Sequence, residues 1–209
     1  MIKTYKILSL LLSYPDAALQ EFLPAAVREL HNEALLQASV TESIRLFTDH
    51  YGNAELTDWQ AEYVQLFDCT RSASLNLFEH VKGDSKDRGQ AMVDLIDLYQ
   101  AAGMQFSSTE LPDYLPAFLE FLSSLDSEKA ADLLSEPAPV IRRIFLTLKE
   151  KDHPYQHIMS AIVSLAARQP AAVTTETTVQ NEIQPDPDSG YEEKPVSFGG
   201  SDPCANCKM

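Results

Sequence analysis

Glycine is scarce in this chain, seven in 209 residues, and cysteine scarcer still, with Cys69, Cys204 and Cys207 alone. Few glycines leave few positions for positive φ, and so few tight hairpin turns or phosphate-cradling loops. No stretch shows sustained period-two alternation joined by such turns, which excludes a β-sheet protein. Three cysteines make no disulfide framework for a chain of this size, so a reducing compartment is expected. Bases are short as well: 16 against 31 acids, a formal charge of −15. That deficit works against nucleic acid or an anionic membrane as main partner, since both reward positive charge. No apolar run reaches the roughly 20 residues of a spanning helix. The opening "MIKTYKILSLLLSYPDAAL" sets Lys3 and Lys6 before a short apolar run that stops at Tyr14-Pro15 with no small-residue cleavage site. It reads as a first core helix rather than a signal peptide, in a cytoplasmic protein without membrane insertion.

What is present is enough apolar material for a core, 44% hydrophobic residues and 9% aromatic, arranged with helical spacing. Residues 2–13 are apolar nearly all round, as in a buried helix. Asp16 is placed to cap a second helix carrying Leu19, Phe22, Leu23, Val27 and Leu30, with Pro24 expected to bend or split it. Ile44 and Phe47 mark a third, ending near Tyr51-Gly52. Thr57 is expected to cap a fourth, whose Trp59, Tyr63, Leu66 and Phe67 share a stripe. A long fifth runs from about Ser85, with Met92, Leu95, Ile96 and Tyr99, to Gly103, a good C-terminal stop. Val140, Ile141, Ile144, Phe145 and Leu148 define another, entered through Pro137 and Pro139. The last follows Pro154 with Tyr155, Ile158, Met159, Ile162 and Leu165. The expected fold is all-α, a compact single-domain bundle of roughly seven to nine helices over 1–168. Residues 68–84 form the one long segment without helical pattern, and loops of that length in compact domains tend to be functional.

Composition changes near Gln169-Pro170. Residues 170–209 hold seven acids and two bases among Thr, Pro and Gly, leaving a body of net charge −10. So little apolar surface cannot offset ordering entropy, and 169–209 reads as a disordered acidic tail.

Motifs that could carry chemistry are few. The tail's "CANC" is a C-x-x-C pair without a redox βαβ context or further zinc ligands. In "HPYQH", His153 and His157 lie four apart, but without the Glu of H-E-x-x-H they read as two solvent-facing histidines and no metal site. "GDSKDRG", from Gly83 to Gly89, has a phosphate-friendly composition but not the Walker A spacing, and no strand precedes it. Capping of the long helix by Asp84 or Ser85 is the simpler reading, with nucleotide or cofactor delivery by this loop as the alternative. No G-x-S-x-G elbow or dinucleotide fingerprint occurs, so no enzyme and no resident cofactor is expected.

"ELPDYLPAFLEFLSSL", residues 110–125, raises a different question. Asp113 as N-cap would place Tyr114, Leu115 and Pro116 in the first turn, where the missing N–H of Pro116 costs nothing. Pro112 keeps Leu111 extended, and Leu115, Phe118, Leu119, Leu122 and Leu125 form the stripe. What remains is an edge of Glu110, Tyr114 and Glu120.

Three ordered segments, "YVQLFD", "RSASLNLFEHVKGDSKDRGQAMVDLIDLYQAAG" and "ELPDYLPAFLEFL", span Tyr63 to Leu122. They resemble the redox-enzyme maturation chaperones, and within them the nitrate reductase molybdenum cofactor assembly chaperones of the NarJ type. The resemblance implies an all-helical, non-catalytic protein. It would bind the N-terminal basic amphipathic helix of a nitrate reductase α subunit and keep that subunit open for insertion of its molybdenum cofactor. Such a task needs an apolar groove with an acidic rim. Glu79, His80, Asp84 and Arg88, with Asp113, Tyr114 and Glu120, are the expected groove residues. A monomer is the simplest state.

Overall fold

Lys3 to Leu11 form helix α1 because their apolar residues recur on a face that the rest of the chain covers: Tyr5, Ile7, Leu8 and Leu11 are all buried. The computed structural model describes residues 1–81, 85–104 and 110–167, all within one compact unit. Among these residues the chain is all-α, with α1 followed by α2 (Ala17–Glu33), α3 (Ala38–Gly52), α4 (Leu56–Tyr63), α5 (Ser85–Ala101), α6 (Leu115–Ser123), α7 (Ser127–Ser135), α8 (Ala138–Glu150) and α9 (Gln156–Ala166). The proposed tail, with Cys204 and Cys207, lies outside the described residues, as do Gly83 and Asp84. No helix among the described residues is long and apolar enough to cross a membrane.

Helix α1 packs between α2 and α6, and α9 packs against α3, α7 and α8. Where these layers meet, Phe47, Tyr51, Trp59, Tyr63, Phe67 and Tyr155 form one aromatic cluster, with Tyr51 stacked on Trp59 at 4.7 Å. Three of its polar tips are paired: Trp59 Nε1–H donates to Tyr155 Oη (2.9 Å), and the Tyr63 hydroxyl donates to the Leu12 carbonyl (2.8 Å), while the buried Tyr51 hydroxyl has no hydrogen-bond partner. Pairing lets the Trp59, Tyr63 and Tyr155 rings lie inside without an unmet donor of their own.

Asp16 caps α2 as its spacing predicts, accepting from the Leu19 amide at 2.7 Å. Pro24 does not split that helix, which runs through it to Glu33. The fourth helix begins two residues earlier than expected: Glu55 is its N-cap residue and Thr57 lies inside. The segment 126–136 carries no expected element, yet Asp126 accepts from the Lys129 amide (2.9 Å) and starts α7. Nor are both histidines of "HPYQH" solvent-facing. His153 is half-buried, its Nε2 3.0 Å from Glu62 Oε1 and its ring stacked on Tyr155. Burial lowers its pKa, with Glu62 opposing.

Candidate functional site

After α4 the backbone widens into a single π-turn, Val64–Asp68, in which the Cys69 amide reaches back to the Val64 carbonyl (3.0 Å). The wider turn keeps Leu66 and Phe67 buried while ending the helix. The chain then makes two 3-10 turns, Arg71–Ala73 and Leu77–His80. Between and within them Ala73, Ser74, Leu75 and Leu77 are buried. A segment without helical pattern can be buried only if its backbone groups find partners elsewhere.

Those partners come from the entrance to α6. Asn76 and Tyr114 form an isolated antiparallel bridge. The Leu77 amide donates to the Asp113 carbonyl (3.0 Å), and the Leu115 amide donates to the Leu75 carbonyl (2.9 Å). The Asp113 side chain completes the clasp, its Oδ2 accepting from the Phe78 amide at 2.9 Å. Asp113 is therefore not the N-cap of α6. Tyr114 is the cap residue, with no side-chain cap bond, and Pro116 falls in the first turn. The reason is tertiary: the Leu75 carbonyl already takes the first free amide of α6, and the Asp113 carboxylate serves the Phe78 amide in the 3-10 turn 35 residues away.

Around the clasp, α5, α6, α7 and the start of α8 enclose an apolar groove of about 240 Å³. Its walls are Leu77, Phe78 and Val81 from the 3-10 turn, Leu95 and Leu98 from α5, Phe118 from α6, Leu133 from α7, and Pro137 with Val140 at α8. Asp113 and Glu136 are the carboxylates in the lining. Val81 remains 57% exposed, and Val93 on α5 is 50% exposed. Helix α5 buries little: among its described side chains Tyr99 alone is fully covered, its hydroxyl donating to the Pro112 carbonyl (2.7 Å) and its ring lying 4.8 Å from Phe121.

Several expected site residues gather here. Glu79 is half-buried on the turn, where its charge raises the Asp113 pKa, and Arg88, exposed on α5, acts on Asp113 in the opposite sense. His80 Nε2 donates to the Ser74 carbonyl (2.8 Å), while its own carbonyl accepts from Arg143 of α8 (3.2 Å). Tyr114 is half-buried and shares a hydrogen bond with the Tyr63 hydroxyl (2.9 Å), which links the clasp to the aromatic cluster. Glu120 sits apart, paired with Lys6 on α1. Asp84 lies outside the described residues. Ser85 to Gly89 of the "GDSKDRG" stretch belong to α5 itself. Sequence reasoning missed the apolar walls, Phe78, Leu95, Leu98, Leu133 and Val140, and the carboxylate Glu136. Phe78 lies within the one non-helical segment, which the sequence singles out, but Leu133, Glu136 and Val140 belong to α7, α8 and the junction between them, and only the fold brings them to it.

Two other cavities are larger. One of about 660 Å³ lies between α2 and α3, where Arg45 is held by Glu42 and Asp49, and one of about 440 Å³ lies where α8 meets α9. Neither involves the 71–81 segment. Among the described residues no three His, Cys, Asp or Glu side chains gather as a metal site.

The family described as nitrate reductase delta subunit matches residues 18–157. The chain belongs to this family. It is 36% identical over 197 residues to the probable nitrate reductase molybdenum cofactor assembly chaperone NarW of Escherichia coli K12, covering 92% of this chain and 82% of that protein. It is 33% identical over 204 residues to the molybdenum cofactor assembly chaperone NarJ of the same strain, at 96% and 86% coverage. A probable NarJ of Bacillus subtilis 168 is 26% identical over 164 residues, 77% of this chain and 86% of that protein. The family is one of assembly chaperones and not of enzymes, in keeping with the missing catalytic motifs. The resemblance read in "YVQLFD" through "ELPDYLPAFLEFL" is thus to the right family. The clasp joins two of those segments.

Proposed function

We propose that this protein is a cytoplasmic assembly chaperone for a molybdenum-dependent nitrate reductase. In this reading it binds the N-terminal basic amphipathic helix of the catalytic α subunit in the groove beside Asp113, and holds the subunit open for cofactor insertion. The body, 1–168, would do this as a monomer, with the acidic tail 169–209 separate from the groove. The observation that carries the reading is the groove itself: apolar walls, two carboxylates in its lining, and an exposed Val81 at its edge. A helix that is apolar on one face and basic on the other has the matching surface.

Nucleotide delivery fits less well. A cavity of about 240 Å³ is smaller than the roughly 300–1,000 Å³ usual for small-molecule sites, and its carboxylates repel phosphates.

The test is calorimetry of the full chain with a peptide of the α subunit's N-terminus. Wild type is expected to bind, and Val81→Arg to bind at least about tenfold more weakly, since it sets a cation against a basic ligand. The exposure of Val81 leaves the fold intact. No heat from wild type at any salt concentration would remove the proposal, as would an unaltered affinity of the Val81 variant.

A further inference from the structure

We infer that the outer face of α8, with the cleft it forms against α9, docks an acidic amphipathic helix of a partner protein. Charge is unevenly placed along this chain. From Arg142 to Lys151 there are four bases and one acid, a net +3 within a chain of −15. Ile141, Ile144 and Leu148 bury the inner side of α8, which leaves Arg142, Arg143 and Lys149 on its exposed side. Leu146, 50% exposed, lies among them. Arg142, Arg143, Lys149 and Glu150 are three or four residues from it, and so are its nearest neighbours on the helix surface. A single exposed leucine needs no explanation, but this one is flanked by cations that the fold leaves without acids. No ion pair among the described residues joins Arg142, Arg143, Lys149 or Lys151 to a carboxylate. Arg143 donates instead to the His80 carbonyl (3.2 Å), and the Lys149 ammonium lies 5.8 Å from the Phe145 ring centre.

The cleft of about 440 Å³ where α8 meets α9 is walled by Pro139, Val163 and Ala166, with Arg142 in its lining. An occupant of this surface is apolar along one line and acidic beside it, the pattern of an amphipathic helix with Asp or Glu flanking its stripe. Arg142 and Lys149 are seven residues apart, about 10 Å along the axis, so acids seven apart on a partner helix reach both. The basic helix proposed for the Asp113 groove does not qualify, because these cations repel it. Docking on α8 therefore does not depend on the groove being occupied. An anionic bilayer would meet the same cations, but the −15 of the chain works against it. Residues 169–209 offer acids with little apolar surface, which answers the charge but neither Leu146 nor the cleft.

The experiment introduces Leu146→p-benzoylphenylalanine into the full chain, illuminates cells of its own host, and maps the cross-linked segment by mass spectrometry. Glu21→p-benzoylphenylalanine, at an exposed position of α2, is the control. A segment of another protein, apolar on one face and acidic beside it, is expected from position 146 and not from position 21. Made as a peptide, that segment should bind wild type in fluorescence anisotropy. Arg142→Glu with Lys149→Glu should weaken it about tenfold or more at low salt. At about 1 M salt, where the Debye length is ~3 Å, the difference should shrink to a few-fold at most. Leu146→Ser should weaken binding several-fold at both salt concentrations. All three side chains are exposed, so the fold is retained, with circular dichroism as the check. If the charge reversal alters the dichroism, Leu146→Ser and the salt series on wild type decide. Cross-links confined to lipid, to residues 169–209, to a second copy of this chain or to a basic segment overturn the proposal. So do a yield no higher than from position 21, and a peptide whose affinity ignores these variants.

Discussion

At Asp113, desolvation raises the carboxyl pKa above its ordinary value; the Phe78 amide and the charge of Arg88 pull it down, and Glu79 adds to the rise. The folded state therefore holds this proton more tightly than the unfolded chain. Its contribution to stability is complete below the ordinary value of 3.8 and is lost as pH rises through the raised folded value. Asp113→Asn removes that titration and keeps an acceptor for Phe78. Urea midpoints across an acid-to-neutral series should show the variant gaining on wild type as pH rises through that window. Parallel curves would mean that the carboxyl is not desolvated. The sequence made Asp113 visible as a residue of interest and misread its partner. Spacing can display a cap three residues ahead, but a bond to Phe78, 35 residues back, depends on the chain path. Tyr114 is similar. Its hydroxyl finds Tyr63 across 51 residues, a pairing that no local pattern encodes.

Among the elements, the long apolar stripes were readable because periodicity is a local property, and the stripes on α2, α3, α8 and α9 are the buried ones. Helix α7 was not, since nine residues with two buried apolar side chains, Ala130 and Leu134, carry little periodic signal. Caps supplied from afar were equally hidden. Ile2 precedes α1 with no side-chain cap bond of its own, yet the Lys3 amide donates to Glu33 Oε1 (2.9 Å) and the Thr4 hydroxyl to Glu33 Oε2 (2.6 Å). The last residue of α2 thus satisfies the open end of α1. Glu33→Ala should destabilise the protein by about 0.5–2 kcal/mol, as for a lost N-cap, measurable by chemical denaturation. Glu29→Ala, which breaks only the exposed pair with Lys3, should change stability far less. Equal effects would show that charge near α1, and not capping, is what Glu33 supplies.

For the whole molecule, charge and packing have separate tasks. A body of net charge −10 attracts a basic ligand from a distance, but attraction between exposed groups reaches only about a Debye length, ~10 Å at 0.1 M salt. It hastens encounter more than it holds the complex, because departure requires apolar walls such as Phe78, Leu98 and Val140 to be re-exposed to water. Glu79, half-buried on the turn, and Glu136, exposed in the groove lining, are the carboxylates to separate the two tasks. Neutralising both as Glu79→Gln and Glu136→Gln should slow association of the α-subunit peptide several-fold at low salt and leave dissociation nearly unchanged. At high salt wild type and variant should associate alike. Stopped-flow fluorescence with a labelled peptide reads both rates directly. If the double variant instead dissociates faster with its association rate intact, these acids are contacts within the bound complex, and the attraction arises from the rest of the acidic surface.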